Sequence, residues 1–140
     1  MGKKRLSYEE RKLRKLESAA KWRAENPDYH AKWREENPDY DTKWRETPIG
    51  RASNLVNRYL QSDIKYNRGE CTLTAQWVMD NIFSKPCHYC GETDWLKIGC
   101  DRIDNSKPHT PDNVVPCCAE CNRKRGRKSY EEFTEMLKVC

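Results

Sequence analysis

No stretch of this 140-residue chain approaches the roughly 18 to 20 consecutive apolar residues that a bilayer-spanning helix requires. Its opening, Met1-Gly2-Lys3-Lys4-Arg5, lacks the apolar region of a secretory signal, and Leu6 stands where a myristoylation signal would need Ser or Thr. The expectation is an intracellular protein with no membrane partner. Phenylalanine is scarce, at two residues, and the chain is 36% apolar against 35% charged, with a mean hydropathy of -1.13. So little apolar material supplies one small core rather than two, which leaves part of the chain extended, helical and solvated. Negative charge is in the minority, 22 acids against 27 Lys and Arg. The resulting net charge of +5 fits a polyanionic partner, although a mixed-sign surface of this kind also serves ordinary solvation.

Cysteine, by contrast, is plentiful, at eight residues, and without an export signal the reading is metal binding rather than disulfides. Cys87-His88-Tyr89-Cys90 and Cys118-Ala119-Glu120-Cys121 form two Cys-x-x-Cys knuckles, whose tight turns aim both sulfurs inward. Four such thiolates close a tetrahedral Zn²⁺ site with no position left for water, which makes the site structural. Cys117 adjoins this set, but only Cys118 keeps the two-residue spacer to Cys121. Cys71, Cys100 and Cys140 have no partner at metal spacing and read as buried or incidental thiols, and His88 reads as exposed rather than as a ligand.

The chain falls into three regions. Residues 1–47 form a basic, aromatic helical arm with an eleven-residue repeat: Lys-Trp-Arg at 21–23, 32–34 and 43–45, and Asn-Pro-Asp-Tyr at 26–29 and 37–40. Asn26 and Asn37 read as N-caps, each followed by Pro at the first helical position. Tyr29 and Trp33, like Tyr40 and Trp44, are four apart and share a helix face. That aromatic stripe either packs on protein or accompanies the neighbouring Lys and Arg along nucleic acid. Residues 48–84 read as a helical platform, with Leu55, Val56, Tyr59 and Leu60 on one apolar face, Ala75, Trp77, Val78 and Ile82 on another, and a break at Asn67-Arg68-Gly69. Residues 85–140 read as β, β, α: a strand over 96–103, a polar loop over 104–112, a strand over 113–116 and a helix from Ala119. The fold class is α+β.

Paired knuckles enclosing Cys-Asp-Arg-Ile-Asp and His-Thr-Pro-Asp-Asn-Val-Val-Pro-Cys, and ending in Cys-Ala-Glu-Cys-Asn, resemble the zinc-stapled HNH endonucleases of the ββα-metal, or His-Me finger, class. The resemblance spans residues 85–128 and is nearest to the phage and homing branch, which implies the cytoplasm of a bacterial or phage-infected cell. It implies a metal-dependent DNA endonuclease in which Asp101 and Asn122 hold a catalytic Mg²⁺ or Mn²⁺, Asn113 clamps the loop, and Arg102 contacts phosphate. At the general base the chain departs from the family: the positions that would carry the histidine hold Arg102 and Asp104. Asp104 or His109 is then the base, or water attacks without one, or the site is degenerate.

Arg123, Lys124, Arg125, Arg127 and Lys128 follow Asn122 and are expected to face DNA. The partner is duplex or branched DNA. One site cuts one strand per encounter, so a double-strand cut needs a homodimer or successive nicks by a monomer. The rival readings are a catalytically degenerate zinc-finger DNA-binding protein, an endonuclease VII-like junction resolvase, and an adaptor whose aromatic repeats bind another protein.

Overall fold

The computed structural model describes residues 5–139; the Met1–Lys4 opening and Cys140, both considered above, lie outside the described residues. Helices precede and follow one small two-stranded sheet, so the architecture is α+β. The chain divides between Tyr40 and Asp41 into two compact units. No helix among the described residues is long and apolar enough to cross a membrane.

The first unit contains α1 (Tyr8–Glu25) and α2 (Tyr29–Glu36), and neither buries a residue. A capping box starts α1: Ser7 Oγ accepts from the Glu10 N–H, and the Glu10 carboxylate accepts from the Ser7 N–H at 2.6 Å. The expected N-cap role of Asn26 and Asn37 does not hold. Asn26 closes α1 instead, donating its backbone N–H and its side-chain Nδ2 to the Trp22 carbonyl at 2.9 and 2.8 Å. Asn37 does the same to Trp33. The reason lies in the orphan carbonyls of a helix end, which an amide side chain can satisfy, while the following Pro cannot continue the helix. Each new helix therefore starts at the tyrosine. The aromatic contacts shift accordingly: Tyr29 packs edge-on against Trp22 at 4.8 Å and Tyr40 against Trp33 at 4.7 Å, seven residues apart across each joint.

The second unit carries α4 (Pro48–Lys65), preceded by the short α3 (Tyr40–Arg45), which begins at the division. Thr47 caps α4 through the Gly50 N–H at 3.1 Å, and Pro48 occupies the first turn. Gly50 is required here, because a Cβ at this position would lie 1.9 Å from the Trp44 carbonyl oxygen. The bare backbone lets the end of α3 close against the start of α4. The inner face of α4 contributes Ala52 and Leu55 to a core completed by Leu73, by Val78 and Ile82, and by the sheet residues Ile98 and Val114. Val78 ends α5 (Ala75–Val78), which runs on into a π turn over Met79–Phe83 that holds Ile82.

The sheet pairs β1 (Ile98–Arg102) with β2 (Val114–Cys118) antiparallel, in a register from Ile98 opposite Cys118 to Arg102 opposite Val114. The first strand begins two residues later than expected because Asp94 accepts from the Leu96 N–H at 3.1 Å and winds Trp95–Lys97 into a 3₁₀ turn. The second runs two residues further, as far as Cys118, which is also the N-cap of α6 (Ala119–Arg125). The last helix, α7 (Tyr130–Lys138), buries Phe133. The order is β, β, α, and Asp101, Cys118 and Asn122 sit on adjoining elements.

Candidate functional site

The sulfurs of Cys87, Cys90, Cys118 and Cys121 all lie within 4.8 Å of one another, a cluster that can hold a metal such as zinc. The surrounding backbone suits thiolates: Cys118 N–H donates to Cys87 Sγ at 3.3 Å and Cys121 N–H to Cys118 Sγ at 3.4 Å. Burial pushes the Cys87 thiol up, but the N–H groups of Cys118, Cys90 and Tyr89 outweigh it and bring the pKa down to about 7. Cys117 stays outside the cluster, its thiol donating to the Cys118 carbonyl at 3.3 Å. Cys100 is a buried thiol whose pKa burial pushes up to about 12. His88 is exposed and hydrogen-bonds the Tyr130 hydroxyl at 2.8 Å through Nε2.

Beside the cluster opens a cleft of about 580 Å³, lined by Asp101 and Arg102 from β1, His109 from the loop and Asn122 from α6, with α4 as its opposite wall. Asp101 is buried, and its Oδ2 accepts from the Tyr89 hydroxyl and from Arg125 Nη1, both at 2.6 Å. Its Oδ1 makes no hydrogen bond among the described residues and is not sealed from solvent, so one oxygen is fixed and the other is available. Tyr89 lies inside the first knuckle and Asn122 directly follows the last cluster cysteine. The four cysteines therefore hold both sides of the cleft floor. The Asn122 side chain is exposed and makes no hydrogen bond among the described residues, so Asp101 and Asn122 both offer free oxygen donors.

Arg125 is not a surface cation. It is 1% exposed, donates to Asp101 and to the carbonyls of Arg102, Ile103 and Lys128, and so locks β1 to α6. It follows the buried Cys121 by four residues, which puts both on the inner face of the helix. Arg123, Lys124, Arg127 and Lys128 are exposed, although Lys124 is bound to Glu120 at 2.9 Å.

His109 is buried. Its backbone N–H and its Nδ1 both meet Asp63 Oδ2 at 2.9 Å, and its ring stacks on Tyr59 at 4.2 Å with the planes 13° apart. Asp63, at the end of α4, is fully buried and also faces Arg68 at 3.4 Å. A carboxylate at Nδ1 selects the tautomer with the proton there. Nε2 is then the basic nitrogen, and it makes no hydrogen bond among the described residues. Burial lowers the His109 pKa below the usual histidine value, with Asp63 pulling against it and Arg102 and Arg68 adding to the depression. The imidazole is thus neutral at pH 7 and can accept a proton. Tyr59 is held in turn, its hydroxyl accepting from the Cys100 N–H at 2.8 Å where Gly99 leaves room.

Asn113 closes the loop between the strands: Oδ1 accepts from Asp104 N–H at 2.8 Å, and Nδ2 donates to the Asp104 and Pro108 carbonyls at 3.1 and 3.0 Å. Arg102 braces the same loop through the Asn105 carbonyl at 2.6 Å while lining the cleft. Asp104, a candidate base from the sequence, is turned away. It lines a separate depression with Arg127, and its Oδ1 accepts from the Ser106 hydroxyl and N–H at 2.6 and 2.9 Å. Those bonds lower its pKa, so it is a poor proton acceptor.

The residue that sequence reasoning missed is Asp63. It is the only acid of α4 and stands four and eight residues after Tyr59 and Leu55, on the apolar side. A carboxylate on a buried face needs a partner, and that pattern was visible. No family model matches the chain, and no curated protein matches it.

Proposed function

We propose that the protein is a metal-dependent DNA endonuclease whose site is the cleft between β1, α6 and α4. The observation that carries this reading is the joint lining of one cleft by an open carboxylate oxygen, a free amide and a neutral imidazole with Nε2 available. A carboxylate and an amide oxygen are hard donors, and Asp101 and Asn122 would hold Mg²⁺ or Mn²⁺ with water and phosphate oxygens completing the shell. Such a cation supplies charge neutralisation at the scissile phosphate and at the departing 3′ oxygen.

The chain's own residues do the rest. His109 Nε2 takes the proton of the water that attacks phosphorus, and Asp63 steadies the imidazolium as it forms. Arg102, at the cleft edge, balances the negative phosphate, while Arg125 and Tyr89 keep Asp101 from rotating. Zinc at the four cysteines serves as the structural staple. The basic groups after Asn122, Arg125 excepted, extend the contact with the DNA backbone. A purely DNA-binding finger has no use for an oriented, desolvated histidine in one cleft with an open carboxylate, and this favours the enzyme over the degenerate reading.

Supercoiled plasmid and a four-way junction, each incubated with the zinc-loaded protein and Mg²⁺ or Mn²⁺, test the reading. Nicking that requires the added Mg²⁺ or Mn²⁺ is expected, and the faster substrate separates a duplex nuclease from a junction resolvase. Salt-dependent binding with no strand scission on either substrate would return the protein to the class of zinc-finger DNA-binding proteins.

A further inference from the structure

The proposed chemistry occupies one wall of the cleft and leaves the other, α4, without a role beyond carrying Asp63 and Tyr59. Along that helix Asn54 and Arg58, like Asn57 and Gln61, are four apart, and Asn54 and Asn57 three apart, so the four share a face opposite the buried Ala52, Leu55 and Asp63. All four are exposed, and none makes a side-chain hydrogen bond or ion pair among the described residues. Asn57, Arg58 and Gln61 line the cleft that holds Asp101 and His109. Asn57 and Arg58 also line a second depression of about 430 Å³, shared with Asn54, Arg51 and Arg45. Arg45, at the end of α3, is brought to this depression by the close approach at Gly50. The two depressions thus form a continuous track that starts at the candidate site and runs back along α4.

The charge of this track separates it from the other basic surface. Helix α4 contains the cations Arg51, Arg58 and Lys65 and a single acid, Asp63, which is buried and already paired with His109 and Arg68. No carboxylate lines either depression apart from Asp101 itself. Around α6, by contrast, Glu120 engages Lys124 within the helix, and Lys128, just after it, turns its ammonium toward the Lys124 carbonyl. Beside Asn122 and Arg123 of α6, the uncommitted cations and amides nearest the site are those of α4 and the end of α3.

We infer that this acid-free face is the surface on which the DNA backbone flanking the scissile phosphate lies, with Arg45 and Arg58 taking phosphates and Asn54, Asn57 and Gln61 donating to phosphate or sugar oxygens. The inference rests on the nuclease reading for the identity of the strand in the cleft. Charge complementarity and continuity with the site select a phosphodiester backbone over a protein partner, for which a track of free amides and guanidinium groups without an apolar centre is poorly suited.

The test is equilibrium binding of a fluorescent DNA duplex across a salt series, by anisotropy, with zinc-loaded Asp101→Ala protein so that cutting does not interfere. The same protein carrying Arg45→Ala and Arg58→Ala is compared with it, and its zinc content and thermal transition establish that it is folded. Loss of two phosphate contacts lowers the slope of log K against log salt by about 2 and weakens binding about tenfold or more near physiological salt. The triple variant Asn54→Ala, Asn57→Ala, Gln61→Ala weakens binding with little change in slope. Unchanged affinity and slope in both folded variants overturns the assignment of α4 while leaving the nuclease reading intact. Weakened binding in a protein whose wild type never cuts DNA supports the α4 surface and refutes the nuclease. A wild-type chain that binds no DNA overturns both.

Discussion

Replacing His109 with Ala or Gln is expected to slow metal-dependent DNA cleavage by roughly 10²- to 10⁴-fold, the usual contribution of a positioned general base, while duplex binding and zinc content stay near those of the wild type. The expectation follows from three contacts. Asp63 fixes the Nδ1 proton at 2.9 Å, Tyr59 fixes the ring plane, and the cleft leaves Nε2 free. Burial lowers the His109 pKa, so the proposed base is neutral across physiological pH. The cleavage rate therefore rises with pH through a value below the ordinary 6.5 of histidine and is level above it. The groups that set this value are Asp63, which raises it, and Arg102 and Arg68, which lower it.

Asp63→Asn then has a signature that simple loosening of the fold lacks. Removing the carboxylate takes away the influence that holds the pKa up, so the acid limb of the profile moves to lower pH, while the plateau falls because the base is weaker and its tautomer less firmly set. A plateau that drops with the limb in place would assign Asp63 a merely structural part. A His109→Gln protein that cuts at the wild-type rate would remove His109 from the chemistry altogether.

Stripping the metal from the four-cysteine cluster is expected to unfold the Asp41–Cys140 unit. Binding of Zn²⁺ to sites of this type is worth about 10–16 kcal/mol at pH 7, comparable to or larger than the roughly 5–15 kcal/mol of total stability of a typical domain. The core beneath is small: Val78, Ile82, Ile98 and Phe133 are its largest fully buried apolar side chains. The cluster also ties the irregular segment that holds Cys87 and Cys90 to the junction of β2 and α6, which holds Cys118 and Cys121. A strong chelator or Cys121→Ser should abolish the cooperative thermal transition followed by circular dichroism, in step with loss of protein-bound zinc. Asp101 and Asn122 are tied to the cluster through Tyr89 and Cys121, so the cleft is lost in the same step. A metal-free protein with an unchanged transition would mean that the cysteines are not a structural metal site.

How much of this was legible in the sequence depended on whether the determining contacts were local. The knuckles carry their own geometry in a two-residue spacer, so Cys87, Cys90, Cys118 and Cys121 were readable one by one. The β, β, α order was readable from the alternation of apolar and turn residues, with strand ends displaced where Asp94 caps a turn and where Cys118 doubles as strand end and helix cap. Asn26 and Asn37 were misassigned because Asn-Pro serves a helix end as well as a helix start, and the choice depends on a carbonyl four residues back. The burial and orientation of His109 were not legible, because its partner Asp63 is 46 positions away in sequence. Arg125 read as part of a charge run, although its spacing of four from Cys121 placed it on the inner face and its salt bridge to Asp101 spans 24 positions. Local spacing was informative; long-range pairing of charged groups was not.

In the proposed function, the cleft holding Asp101, Asn122 and His109 hydrolyses a phosphodiester bond with a divalent cation. The most direct test is single-turnover cleavage of a labelled duplex by zinc-loaded wild type and by zinc-loaded Asp101→Ala, purified identically and assayed across a Mn²⁺ titration. Saturable, Mn²⁺-dependent strand scission by the wild type is expected, with a rate at least about 10³-fold lower for the variant at every Mn²⁺ concentration and with both proteins folded and binding the duplex. Equal rates in the two proteins, or no scission by a folded wild type that binds the duplex, would contradict it.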